Sequence, residues 1–217
     1  MTRLVAFDVD STLLAVESLD FAIEMTRGSD GAEKVRAITD AGMSGAMGLR
    51  ASIAARLDIA RFERGSVARA AVALKAYATP GMAELLAALR AQGDRVIAVS
   101  GGFGDLVRLA LRDLGFADSA IFANRFLWDG GRISGFDTAN PLSDNGGKAE
   151  VLSQLRNAFK PDSVVMVGDG ITDLEAVESG AADRFVGFGG VARRTAVEDR
   201  AREYAASINE LSRLLLA

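Results

Sequence analysis

The sequence predicts an open α/β sheet of parallel strands with a helical segment inserted after its first strand. Short apolar runs that end in polar residues predict buried parallel strands, and they occur at 3–8, 95–100 and 163–169. Helical periodicity separates the later runs, which is typical of alternating α/β folds. The interval 16–76 breaks this alternation, because it is rich in Ala and helical in pattern without a strand. We therefore expect a core formed by 1–15 and 77–217 and a helical cap at 16–76.

The other elements of the core are predicted from turn and start signals. Thr79 is the expected N-cap of a helix that has Pro80 in its first position and continues through 82–93 to a glycine. Further helical patterns cover 103–114, 147–158, 172–179 and 194–204. The segment 125–137 has a DGG turn between apolar flanks, which predicts a hairpin that serves as a small flap.

The composition excludes several kinds of catalytic site. The 217 residues include no Cys and no His, which removes thiol nucleophiles, disulfides, thiolate or imidazole metal ligands and the Ser/His/Asp triad. Catalysis must then rely on carboxylates, Lys, hydroxyls and backbone groups. A cation in such a site would be a hard one, Mg²⁺ or Ca²⁺, because oxygen atoms are the abundant ligands that remain.

The charge pattern and the apolar runs limit the partners. The formal net charge is −4 and the basic residues are scattered, so the sequence has no basic stripe for a nucleic-acid backbone. The apolar stretch near the start is too short for a secretion signal or a membrane span. We expect a cytoplasmic protein that has a small-molecule substrate and no nucleic-acid or membrane partner.

Two pairs of aspartates lie at the ends of predicted strands. Asp8 and Asp10 are two residues apart after the first strand, so their side chains point to the same side. Asp169 ends a later strand, and Asp173 falls in the first turn of the next helix, where the helix dipole favours a carboxylate. A single such pair is more often a turn former or a helix cap. Two pairs at one edge of a sheet are costly unless a cation or hydrogen-bond donors compensate them.

An anion site is predicted beside these carboxylates. Ser100 follows a strand and is followed by Gly101, Gly102 and a helix, which brings a hydroxyl and free backbone N–H groups together. Lys148 stands at the start of another helix, where the dipole disfavours a cation. Alone, these features indicate a turn and a surface lysine. Together with the four aspartates they predict a site for phosphate and Mg²⁺.

The four motifs DVDST, VSGG, GGK and GDGITD occur in the order that is typical of the haloacid dehalogenase superfamily. The sequence resembles the phosphatases of that superfamily, which implies a Rossmannoid core. Within it, the sequence is similar to the phosphoserine phosphatases over nearly its whole length, through Glu17 and the segments TPGM, SGGF, FAN, SGFD and FVGFGG. It departs from them at Leu49, where a Phe is expected.

This resemblance implies a covalent mechanism and a metal. Asp8 is expected to be the nucleophile and Asp10 the general acid and base. Asp8, the backbone carbonyl of Asp10 and Asp169 are expected to bind Mg²⁺, with Asp173 behind these ligands.

The resemblance also implies how the substrate binds. Ser100, the Gly101 amide and Lys148 are expected to hold the phosphoryl oxygens. Glu17 and Arg56 are expected to bind the ammonium and the carboxylate of phosphoserine. Neighbouring contacts are expected from Met43, Gly102 and Thr172.

The resemblance implies that the protein hydrolyses O-phospho-L-serine to serine and phosphate, which is the last step of serine biosynthesis. We expect a monomer or a homodimer. One alternative is a phosphatase for another small phosphomonoester, such as phosphoglycolate or phosphohomoserine, although phosphoglycolate has no ammonium for Glu17 to bind. Another is a phosphotransferase that passes the phosphoryl group to an alcohol such as homoserine. A third is a non-catalytic module that responds to phosphate, which the same fold also permits.

Overall fold

The computed structural model describes residues 2–43 and 46–217, except for the side chains of Asp40 and Met43. Its strands are β1 Arg3–Phe7, β2 Arg95–Phe103, β3 Ile121–Asn124, β4 Phe126–Asp129, β5 Arg132–Phe136, β6 Ser163–Gly168, β7 Arg184–Phe188 and β8 Tyr204–Ala205. Six of them form one parallel sheet in the order β3-β2-β1-β6-β7-β8, and β4 and β5 form a separate antiparallel hairpin. This architecture confirms the predicted α/β class.

The helices are α1 Ser18–Met43, α2 Leu49–Ala60, α3 Arg64–Leu74, α4 Met82–Ala91, α5 Gly104–Asp113, α6 Gly147–Phe159, α7 Ile171–Glu178, α8 Thr195–Glu198 and α9 Ile208–Leu216. The first three form the helical insertion that the sequence predicts after β1. Within the described residues, none of these helices combines the length and the apolar character that crossing a membrane requires.

The middle of the sheet determines where a ligand can bind. β1 pairs with β2 on one side and with β6 on the other, so that Phe7 lies beside both Ala98 and Val167. The strands that follow β1 in sequence are therefore placed on both of its sides, β2 on one and β6 on the other. At such a point, open α/β sheets bind ligands in a crevice beyond the carboxyl ends of the strands. Apolar side chains pack on both faces of β1, and its residues 4–7 are fully buried. The residues that follow these three strands are therefore presented from a rigid base.

The insertion leaves and re-enters the core through two paired segments. Leu14 and Ala78 form an antiparallel bridge, and the Ala15 N–H donates to Tyr77 O at 2.8 Å. The first helix of the insertion is bent at Gly28, which has a φ of 69° that favours glycine. The paired segments lie beside the expected boundaries of the cap at 16–76, and these boundaries stay a prediction.

The predicted hairpin is present, with Gly130 and Gly131 at its turn. Both glycines have positive φ, which is typical of tight hairpin turns. The hairpin packs against the segment between α2 and α3: the Arg64 N–H donates to Gly131 O, and the Ile133 N–H donates to Phe62 O, each at 3.0 Å. The hairpin is thus attached to the helical insertion.

Two local predictions are wrong. Thr79 does not cap a helix, because Gly81 adopts the left-handed conformation and α4 begins only at Met82. The Thr79 hydroxyl instead donates to the carbonyl of Thr12 at 2.7 Å.

The predicted helix at 194–204 ends at Glu198, and Tyr204 begins β8. Pairing with the edge of β7 outweighs the helical pattern there, since Tyr204 lies beside Gly187 in register and its ring fills the space over Gly189.

Candidate active site

One cavity of about 190 Å³ lies beyond the carboxyl ends of β1, β2 and β6 and beneath the insertion. The parallel register brings Asp8, Ser100 and Asp169 to it from three neighbouring strands. The predicted residues that line it are Asp8, Asp10, Glu17, Arg56, Ser100, Gly101, Gly102, Lys148, Asp169 and Thr172. Asp173 lies behind this surface, and the side chain of Met43 falls outside the described part of the chain.

Lys148 is buried between two carboxylates. Its Nζ lies 2.7 Å from Asp8 Oδ1 and 2.6 Å from Asp173 Oδ1. Desolvation lowers the pKa of Lys148, but the carboxylates of Asp173 and Asp8 outweigh it, and the net pKa is above the ordinary value. The amine therefore stays protonated, and its two partners compensate its unfavourable place at a helix start.

Asp173 is fixed on both oxygens. While Oδ1 accepts from Lys148, Oδ2 accepts from the Gly170 N–H at 3.0 Å. A side chain at position 168 would collide with this carboxylate, which explains the glycine there. Asp173 is fully buried, so it can orient its neighbours without contacting a ligand in the cavity.

Asp10 is held at the start of α1. Its Oδ1 accepts from the Ser18 N–H at 2.9 Å, and a β-carbon at Gly102 would stand only 2.8 Å from its Oδ2. The Gly102 N–H donates to Ser100 Oγ at 2.9 Å. The glycine thus permits the close approach of Asp10, and the Ser100 hydroxyl proton remains available for a ligand.

The site carries more negative charge than its cations neutralise. Desolvation and the nearby Asp8 raise the pKa of Asp10 to about 7. Desolvation, Asp10 and Asp169 raise the pKa of Glu17 to about 8, against a smaller lowering by the hydrogen bond from Ser11 and the charge of Arg194. Desolvation and neighbouring carboxylates also raise the pKa of Asp173 to about 7 and that of Asp169 above its ordinary value. A bound cation would relieve this excess.

The donor set fits a hard cation. Asp8, Asp169 and Asp173 each offer a carboxylate oxygen, and these atoms lie within 4.8 Å of one another. Carboxylate oxygens are the ligands that Mg²⁺ and Ca²⁺ prefer. Asp8 and Asp169 are the better placed ligands of the three, because they line the cavity whereas Asp173 is fully buried behind it.

The other wall of the cavity comes from α1 and α2. Glu17 precedes α1, and its Oε1 accepts from Ser11 Oγ at 2.8 Å. Arg56 lies on α2 with only 9% of its surface exposed, and Leu49 at the start of α2 contacts the region of Gly101. An acidic and a basic side chain thus border the same cavity as the aspartates.

Comparison with known proteins identifies the family. The family model of haloacid dehalogenase-like hydrolases matches residues 5–178. The chain belongs to this family. This hydrolase is 35% identical to the phosphoserine phosphatase of Bos taurus and 34% identical to that of Homo sapiens, in each case over 95% of this chain and 90% of the relative. Its fold matches the crystal structure of a phosphoserine phosphohydrolase-like protein from Francisella tularensis with a TM-score of 0.89, at 27% identity and with 99% of both chains covered.

One further residue of the hydrolase site is not among the sequence predictions. Arg194, after β7, donates from Nε to Asp169 Oδ2 at 2.6 Å and from Nη2 to Glu17 Oε1 at 3.3 Å. Sequence reasoning misses it because 194–204 has a helical pattern that indicates a surface helix. The useful signal is its place after a strand that neighbours β6, since that strand ends at the same edge of the sheet.

Proposed function

We propose that this hydrolase converts O-phospho-L-serine to serine and phosphate, the last step of serine biosynthesis. The observation that carries the proposal is a single cavity lined on the sheet side by Asp8, Asp10 and Lys148 and on the helical side by Glu17 and Arg56. The first group suits phosphoryl transfer, and the second group matches the two charges of an amino acid. The phosphoserine phosphatases among its relatives support the same substrate.

Asp8 is the proposed nucleophile. Its carboxylate attacks phosphorus, a bond forms between Asp8 and phosphorus, and the bond from phosphorus to the serine oxygen breaks. Asp10 gives its proton to the leaving serine oxygen. Asp10 then takes a proton from a water molecule, which attacks phosphorus and releases Asp8 and phosphate. A pKa of about 7 suits Asp10 for both directions of proton transfer.

Three groups are proposed to hold the phosphoryl oxygens. The Ser100 hydroxyl donates one hydrogen bond, the Gly101 amide donates another, and Lys148 supplies a positive charge next to Asp8. Such donors are most effective when they are held in place before the reaction begins. The contacts of Lys148 with Asp8 and Asp173 satisfy that condition.

The proposed ligands of Mg²⁺ are Asp8, the backbone carbonyl of Asp10 and Asp169, with Asp173 supporting them from behind. When bound, the ion would supply positive charge against the phosphoryl oxygens as negative charge develops. The raised pKa values of the carboxyl groups support a cation at this place.

The specificity is proposed to come from the helical segment 16–76, acting as a cap. Glu17 binds the substrate ammonium, and Arg56 binds its carboxylate with a charge-assisted contact. Met43, Gly102 and Thr172 are proposed to shape the space around the serine carbon atoms. The same segment excludes water from the cavity while the reaction proceeds.

A phosphate-release screen tests the function. Phosphoserine, phosphothreonine, phosphoglycolate and phosphohomoserine are compared with and without EDTA, and phosphoserine should be the best substrate, with activity that EDTA abolishes. A preference for phosphohomoserine, or formation of phosphohomoserine when homoserine is added, would favour the alternative activities. Failure to release phosphate from any of them would favour a non-catalytic module.

A further inference from the structure

Other residues of the helical insertion hold the Arg56 side chain in place at the wall of the cavity. Its Nη1 lies 3.2 Å from Asp20 Oδ1, and its Nε donates to the carbonyl of Ser52 on the same helix at 3.3 Å. The Arg56 side chain is 11% exposed and that of Asp20 is 24% exposed, so the pair is largely screened from bulk water. Nothing in the sequence motifs points to Asp20.

Asp20 is held in turn by Thr39. The Thr39 hydroxyl donates to Asp20 Oδ2 at 2.6 Å. Asp20 and Thr39 lie on the two arms of α1, on either side of the bend at Gly28, while Arg56 lies on α2. The three side chains therefore connect three helical segments at one point, and the bend at Gly28 is what allows both arms to contribute.

The arrangement leaves one side of the guanidinium for a ligand. Arg56, Thr39 and Ser52 line the cavity, whereas Asp20 is not part of its lining. Among the described residues, Arg56 Nη2 has no protein acceptor, while Nε and Nη1 each have one. A guanidinium has five N–H donors in a planar fork, so a carboxylate can approach from the cavity while Asp20 keeps its own contact.

We propose that Asp20 is a positioning residue that aims Arg56 at the substrate carboxylate, and that Thr39 fixes Asp20 in the orientation this requires. The proposal rests on the proposed function, in which Arg56 binds that carboxylate. A long side chain on a cap helix loses conformational freedom when it binds a ligand, and a partner that orders it beforehand reduces this loss. The opposite effect, in which Asp20 competes with the substrate for Arg56, predicts a change of the opposite sign.

The test compares phosphoserine with O-phosphoethanolamine, which keeps the phosphate and the ammonium but lacks the carboxylate. Asp20→Ala should lower kcat/KM for phosphoserine by about tenfold, mainly through KM, because a charge-assisted contact is weakened. The kcat/KM for phosphoethanolamine should change by less than about twofold, since its binding does not involve Arg56. Asp30→Ala, at an exposed position on the same helix, is the matched control and should leave both substrates unaffected.

Two more variants separate positioning from folding. Thr39→Val keeps the shape of the side chain and the Asp20 charge, and should give a smaller selective loss of about two- to fivefold. In the background of Arg56→Ala, adding Asp20→Ala should cause no further loss with phosphoserine, because the two residues act through one contact. If Asp20→Ala does not fold, the Thr39→Val result decides.

Several outcomes would overturn the positioning role. These are a gain in phosphoserine use by Asp20→Ala, an equal loss with both substrates, and a further loss in the Arg56→Ala background. The proposed function fails in a different way: the parent protein would not prefer phosphoserine to phosphoethanolamine, or Arg56→Ala would leave that preference intact. If the preference exists and depends on Arg56 but not on Asp20 or Thr39, only the positioning role is wrong.

Discussion

The sheet and the helical segment that covers it hold their charged residues in different ways. Asp8 and Asp169 follow paired parallel strands, and the backbone N–H of Asp8 donates to Val167 O at 2.8 Å. Arg56, in contrast, stands on a cap helix and depends on a side chain from another helix. The phosphate side of the cavity is thus set by backbone register, and the amino-acid side by contacts between helices. Substitutions on the two sides should differ accordingly in their effects.

The largest effect is expected on the sheet side, from Asp8→Asn. Removing the nucleophile should abolish turnover while the fold and phosphoserine binding persist, because the amide keeps the shape of the side chain. Phosphate release measures turnover, the thermal unfolding midpoint measures the fold, and calorimetric titration with phosphoserine measures binding. The preparation must be free of deamidation back to Asp, as judged by mass spectrometry. Activity within about tenfold of the parent would contradict a covalent mechanism.

Metal removal should be nearly as severe. The proposed ligands are all oxygens, so activity should vanish in EDTA and return with Mg²⁺. Ca²⁺ should inhibit, because its larger and more flexible coordination shell would misplace the nucleophile. Phosphate release in chelated, Mg²⁺-restored and Ca²⁺-supplemented buffer tests this, and full activity in exhaustively chelated buffer would rule out the metal site.

An intermediate and selective effect is expected on the helical side. Arg56→Ala and Arg56→Lys should lower kcat/KM for phosphoserine by roughly ten- to a hundredfold, since a hydrogen bond to a charged group contributes about 1.5 to 3 kcal/mol. Use of p-nitrophenyl phosphate, which lacks both amino-acid charges, should hardly change. Glu17→Gln should show the same selectivity through the ammonium.

Arg50→Ala is the matched control for this pair, because Arg50 lies on the same helix and its side chain is 47% exposed beside Asp144. Arg50→Ala should leave kcat/KM for phosphoserine and for p-nitrophenyl phosphate close to the parent values. Equal losses with both substrates in the Arg56 variants would mean that Arg56 supports the cap structure, and the contrast between the two sides of the cavity would disappear.

The smallest effect is expected from substitution of Arg194, which contacts Asp169 on the sheet side of the cavity and Glu17 on the helical side. Its guanidinium is paired with Asp169 and Glu17, so it opposes a second cation beside Asp169. Arg194→Met should tighten Mg²⁺ binding a few-fold, measured by calorimetry without substrate. Arg193→Met is the control, since Arg193 pairs with Glu198 at the surface and is 69% exposed. Weaker Mg²⁺ binding in Arg194→Met alone would reverse this interpretation.

The site residues that the sequence predicts without the family resemblance are those that carry their own local signal. Asp8, Asp10 and Asp169 stand next to apolar runs that are recognisable as buried strands, and parallel strands must present their carboxyl ends at one edge. Ser100 lies in the last part of β2 next to Gly101, and Lys148 lies at the start of α6 next to Gly147. Their meeting in one cavity follows from the fold class alone, so these positions could be predicted without knowing how the helices pack.

The residues that are missed have no such signal. Arg194 lies in a segment whose helical pattern is overridden by the pairing of β8 with β7. Asp20 contacts Thr39 and Arg56, which belong to other parts of the insertion. At Thr79 the local pattern predicts a helix cap that does not form, and the hydroxyl instead makes a tertiary contact with the carbonyl of Thr12. Contacts between segments that are distant in sequence decide these positions, and a single sequence does not encode them in any local pattern.

The attachment of the hairpin to the insertion has a consequence for the passage of substrate and product. Any movement of the α2–α3 connection away from the sheet must carry the hairpin with it or break the backbone bonds between Arg64 and Gly131 and between Ile133 and Phe62. The start of α2 is held through side chains instead: the Leu49 N–H donates to Asn145 Oδ1, and the exposed Arg50 side chain pairs with Asp144 and donates to Thr138 O. Exposed side-chain contacts of this kind contribute little to stability. We therefore expect the cavity to open at the start of α2, while the α2–α3 connection stays bound to the hairpin. Phosphoserine would then enter, and serine would leave, through one opening beside Leu49.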